Sequence, residues 1–82
     1  MTGTQVNPTR IEYKTAGVWG ANEQLDTTDI RWSWDSLPTG TYIRVNHVYA
    51  NGSNHPLAAE SLSGNYQAVL PRDIGEVFLF RQ

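Results

Sequence analysis

A chain of 82 residues with no cysteine and a formal charge of -2 makes one small domain without a disulfide or thiolate-metal staple. Six basic and eight acidic residues exclude the basic stripe of a general nucleic-acid binder and the polybasic cluster of a membrane-surface protein. Charged residues make up 17% of the chain, and lysine is nearly absent: Lys14 stands against Arg10, Arg31, Arg44, Arg72 and Arg81. Arginine and aromatic residues in place of lysine are what protein interfaces carry. A domain this small has a thin core, and such chains often draw stability from oligomerisation.

In chain order, residues 1–8 are polar with Gly3 and Pro8 and read as a flexible N-terminal arm ahead of a single β domain, 9–82. The arm has neither a basic nor an apolar region of a secretion signal, and no apolar run reaches the ~20 residues of a membrane span. The expectation is a soluble protein made in the cytosol. Thr9–Thr15 alternates, with Ile11 and Tyr13 opposite Arg10, Glu12 and Lys14, and predicts a half-buried strand. Residues 16–28 read as a long loop holding Gly17, Gly20 and Asn22, pinned by Val18, Trp19 and Leu25 or hiding a short strand.

Asp29–Trp34 and Thr41–Ala50 alternate on either side of a Pro/Gly turn at Asp35–Gly40, which predicts a β-hairpin. Ile30, Trp32 and Trp34 share one face of its first strand; Ile43 and Val45 share parity on the second, opposite Tyr42, Arg44, Asn46 and Val48. Asn51-Gly52 favours a tight reversal, and reads as a turn although Asn51-Gly52-Ser53 has the spacing of a glycosylation sequon. Leu57–Leu62 fits either a short helical turn or a strand. Asn65–Leu70 alternates again, and Glu76–Arg81 closes with Val77-Phe78-Leu79-Phe80, apolar on both faces. The fold class expected is all-β: a small antiparallel sandwich or barrel with at most one short helical turn near 57–62.

Leu37-Pro38-Thr39-Gly40-Thr41-Tyr42, followed by Ile43 and Val45, resembles the L-P-x-G-x-Y strand opening of immunoglobulin-like and fibronectin type III-like sandwiches. Arg10-Ile11-Glu12-Tyr13-Lys14 is similar to a strand from the middle of a type III module. The likeness covers about residues 9–52, and its Leu37-to-Tyr42 spacing is one residue short of the type III pattern. It implies an Ig-like sandwich in which Tyr42 ties its strand's corner to the preceding loop. A sandwich architecture carries no function with it.

Chemistry finds little purchase. His47 and His55 have no spacing that places two metal ligands on one face, and Asp26, Asp29 and Asp35 do not form a calcium loop. Serines 33, 36, 53, 61 and 63 lie in no nucleophile elbow, and no phosphate loop occurs. No enzyme activity, cofactor or metal is expected. Trp32 and Trp34 could form a sugar-binding platform with Arg31 and Asn46, but their parity with Ile30 places them in the core. Trp19, in a glycine-rich loop, is the better candidate for a binding aromatic.

Fully apolar strands sit where both faces are covered. In a chain this short, the second cover for Val77–Phe80 comes from another subunit, from the 16–28 loop or from 57–62. The leading expectation is a structural or interaction protein that self-associates or docks on a larger assembly, such as a virion, tail or decoration component. Its interface candidates are Trp19, Phe78, Phe80 and Arg81, with Tyr42 and Val48 behind them. The alternatives are a small lectin using Trp19 or the Trp32/Trp34 pair, and an inhibitor or immunity-type protein that blocks a partner.

Overall fold

The structure, a computed structural model, describes residues 3–46, 58–72 and 76–82. Seven strands make up these residues: β1 (Arg10–Thr15), β2 (Val18–Gly20), β3 (Thr27–Ser33), β4 (Tyr42–Asn46), β5 (Ala58–Leu62), β6 (Gln67–Pro71) and β7 (Glu76–Arg81). The first sheet has the order β2-β1-β3-β6 and the second β4-β7-β5. All pairs are antiparallel except β5 with β7, which run parallel. The chain is thus all-β among the described residues, and none of their segments is a helix long and apolar enough to cross a membrane.

The alternation predicted from Asp29 builds strands as far as Asn46, beyond which 47–50 lie outside the described residues, but it does not build a hairpin. β3 pairs with β1 and β6, whereas β4 pairs with β7 in the other sheet. The reason lies in the turn. Six residues, Asp35–Gly40, separate the runs where a tight hairpin uses two. Trp34 at 3% exposed and Leu37 at 2% are drawn into the interior, so the chain arches from one sheet to the other. Thr41 fastens the arch, its N–H and Oγ1 both donating to the Pro38 carbonyl at 3.1 and 2.6 Å. Thr41, not Tyr42, ties the corner.

The tight hairpin lies instead in the expected loop. β1 and β2 join through Ala16-Gly17, both at positive φ (51° and 81°), the mirror-image turn whose twist suits antiparallel strands. Of the segment expected at 57–62, residue 57 lies outside the described residues and Ala58–Leu62 is the strand β5, not a helical turn; Leu62 is buried. The 21–26 segment is not pinned by apolar side chains, since Val18 is 69% and Leu25 93% exposed. Arg72 holds it, being buried itself and donating from Nη1 to the carbonyls of Leu25 at 2.8 Å and Gln24 at 3.3 Å. Its Nε lies 3.5 Å from the Glu23 carboxylate.

The inward faces meet in one apolar cluster. Ile30, Trp32, Ala68 and Leu70 come from the first sheet, Ile43, Val45, Leu62, Val77 and Leu79 from the second, and Trp34 and Leu37 from the arch. Residues 3–8, expected as a free arm, lie against this body. The Val6 carbonyl accepts the Trp34 indole N–H at 3.1 Å, and a Cβ on Gly3 would stand 2.0 Å from the Gly40 carbonyl oxygen.

Candidate interaction surface

Strand parity assigns each candidate residue to a side. In β7, Val77 (1% exposed) and Leu79 (0%) point into the core, so Phe78 and Phe80 take the outer face of the second sheet. β4 does the same: Ile43 and Val45 are buried, and Tyr42 and Arg44 face outward. The register sets Tyr42 opposite Phe80 and Arg44 opposite Phe78. Tyr42 reaches diagonally to Phe78, with ring centroids 5.3 Å apart and planes 12° from parallel, an offset stack of the kind worth about 0.5–1.5 kcal/mol beyond area burial. Tyr42, Phe78 and Phe80 are all half-buried. Three of the expected interface residues therefore form one aromatic face.

The others lie elsewhere. Arg81 shares the parity of Val77 and Leu79, sits beside Leu62 in the register, and sends its guanidinium over the Tyr66 ring (5.8 Å) and to the Gln82 carbonyl. Val48 lies outside the described residues, as do His47 and His55. Trp19 sits on the outer face of the first sheet, on the opposite side of the domain from Phe78. Two segments expected as possible covers for β7 have other positions: 16–28 completes the first sheet, and 58–62 lies alongside β7 in its own sheet.

On the first sheet's outer face, Arg31 is the central group. Both Nε and Nη2 lie 3.0 Å from Oε1 of Glu12, its neighbour across β1, and its Cζ stands 4.3 Å from the Trp19 ring centroid. Trp19 is half-buried and carries this cation on its ring, which differs from the open binding aromatic expected. Beside β2 lies an open hollow of about 250 Å³, lined by Tyr13, Thr15, Trp19, Asn22 and Gln24 among others. The tryptophan platform does not exist, because Trp32 and Trp34 are 6% and 3% exposed. Asn46 is the last residue of β4, and Arg31 belongs to the other sheet.

Among the described residues, no group of three or more His, Asp or Glu side chains comes together in a way that could hold a metal ion. Two features escaped the sequence reading. One is the buried Arg72 anchor. The other is the outer edge of β6, for which Pro71 was the signal: proline in a strand marks an edge. No family model matches this chain, and neither does any curated protein or solved structure.

Proposed function

We propose that this chain is a non-enzymatic interaction module, built as a small β-sandwich, that associates with copies of itself or docks on a larger protein assembly. The observation that carries this reading is the aromatic outer face of Tyr42, Phe78 and Phe80, backed by the buried Val77 and Leu79 on the same strand. Aromatic residues with an arginine beside them, here Arg44, are the composition of interface hot spots. Magnitude limits the affinity. Three strands of five or six residues span about 14 × 18 Å, or ~250 Å², against roughly 800 Å² per partner in a stable interface. The face alone supports a weak contact, and a lasting assembly needs a second one.

The test is light scattering after size exclusion on the native chain and on Phe78→Lys. The native chain should form a species above monomer mass as concentration rises. Phe78→Lys should lose it while keeping its thermal transition, because the substituted side chain points away from the core. A native chain that stays monomeric at every concentration and recovers no partner overturns the proposal.

A further inference from the structure

Among the described residues the two sheets have four edge strands, and they are not alike. β2 has three residues. Along β4, Gly3 approaches the backbone of Gly40 and Tyr42, and the strand carries Arg44. β5 carries Glu60. β6, Gln67-Ala68-Val69-Leu70-Pro71, has five residues and no charge. Charged side chains are the usual guard of an exposed edge; β6 lacks them.

Its hydrogen-bond phase can be read from its ends. Trp34 N–H donates to the Tyr66 carbonyl at 2.7 Å, and Arg72 N–H donates to the Thr28 carbonyl at 2.9 Å. Antiparallel pairs alternate between bonded and non-bonded. Ala68 and Leu70 therefore exchange their bonds with Trp32 and Ile30, and the backbone groups of Gln67, Val69 and Pro71 point away from β3. Among the described residues nothing pairs with them. An open trough of about 400 Å³ runs beside this edge, lined by Ser61, Leu62, Asn65, Gln67, Ala68 and Val69, and Val69 is 47% exposed.

We infer that the β6 edge pairs with the β6 edge of a second copy, antiparallel about a two-fold axis through Val69. The edge is self-complementary in one register. Val69 opposite Val69 of the other copy makes two reciprocal N–H to carbonyl bonds, and each Gln67 N–H meets the other copy's Pro71 carbonyl. Four bonds form, and the proline's missing N–H falls at the outer ends. Without a charge on the strand, no like-charge pair meets across the axis. The two exposed Val69 side chains become direct cross-strand neighbours. The two four-stranded sheets become one continuous sheet, a closed isologous contact of the commonest symmetry. This rests on the proposed self-association and supplies the second contact that the aromatic face needs.

Amide hydrogen exchange resolved by residue tests it on the full chain, because the phase predicts an alternating pattern. Ala68 and Leu70 should exchange slowly at every concentration. Gln67 and Val69 should exchange freely when dilute and slow by about tenfold or more as the dimer forms. Val69→Pro removes an N–H that no intramolecular bond uses, so it should abolish the dimer with the thermal transition retained. Freely exchanging Gln67 and Val69 amides in a sample that light scattering shows to be oligomeric overturn the inference, whatever becomes of the variant. Slow exchange of both at every dilution, with a monomeric mass, overturns it too. If Phe78→Lys then dissociates the oligomer, the aromatic-face reading stands without the edge. If the dimer survives Phe78→Lys but not Val69→Pro, the edge stands and the face falls.

Discussion

On the outer face of the first sheet, Trp19, Arg31 and Glu12 serve one another: a carboxylate holds the guanidinium, and the guanidinium covers the indole. On the outer face of the second, Tyr42 and Phe78 stack, with Phe80 opposite Tyr42 and Arg44 opposite Phe78 in the register. The strands beneath explain the difference. β1 and β3 alternate polar with apolar, so one side is left for charge. β7 is apolar on both sides at its centre, so burying Val77 and Leu79 necessarily turns two phenylalanines outward. The first face pairs its charge within the chain, and the second is the one on which the proposed association rests. Substitutions on the first sheet's outer face and its 21–26 segment, away from the β6 edge, should therefore change stability and leave association alone.

The largest such effect is expected at Arg72. Arg72→Ala removes a buried cation that bonds the carbonyls of Gln24 and Leu25 and pairs with Glu23. Hydrogen bonds to charged groups contribute about 1.5–3 kcal/mol, and the carbonyls left behind are partly solvent-accessible, so a loss of about 2–3 kcal/mol is expected. For a domain this size that lowers the melting temperature by roughly 10–20 °C. Calorimetry measures the loss, and hydrogen exchange should place it in 21–26. Arg72→Lys should not rescue it, because an ammonium lacks the planar fork that reaches the carbonyls and Glu23 together. A melting temperature that does not move would mean that the 21–26 segment is held by something else.

A gain is expected at the β1–β2 turn. Ala16 takes φ of 51°, a region that a residue with a Cβ enters at a cost of about 1–2 kcal/mol and that asparagine tolerates. Ala16→Asn should raise stability by about 0.5–1 kcal/mol and the melting temperature by a few degrees. The hairpin forms the β2 end of its sheet, the opposite edge from β6, so the concentration dependence of the proposed association should not change. If it did, the two faces would not be separable in the way their composition implies.

That turn also shows what could be read in advance. Alternation located β1, β3, β4 and β6, since burying one face imposes a period of two on a strand, and β7 was marked by its unbroken apolar run. It carried no information on partners, because a strand's pairing is decided by residues far along the chain. β3 bonds β6, whose residues lie more than thirty positions away, and the Pro/Gly turn that pointed to a local hairpin serves an arch instead. Ala-Gly is a weak turn signal beside Asn-Gly, so the real hairpin passed as loop. The core role of Trp32 and Trp34 was legible from their parity with Ile30. The aromatic face was legible in outline from Val77–Phe80, but Arg81 was not separable from it until β7's parity was known. Nothing local in the sequence distinguished Arg72, whose partners lie forty-five and more residues upstream.

The smallest effect tests the claim that the first face is self-sufficient. Arg31 and Glu12 are about a quarter to a third exposed, 24% and 30% at their side chains, so solvent screens much of their attraction. A double-mutant cycle of Arg31→Gln with Glu12→Gln should give a coupling of about 0.5 kcal/mol that fades at high salt. The cation on Trp19 adds about 0.5–1 kcal/mol, which should persist in Glu12→Gln if the indole helps to hold Arg31 in place. Tryptophan emission separates the two cases, since Trp32 and Trp34 are buried and Trp19 reports on this face. Emission unchanged in Glu12→Gln but shifted to longer wavelength in Arg31→Gln means that the guanidinium stays on the ring without the carboxylate. An equal shift in both would mean that Glu12 places Arg31 and that Trp19 contributes nothing to it. The face would then be held by one screened ion pair, and its contrast with the aromatic side would be weaker than its composition suggests.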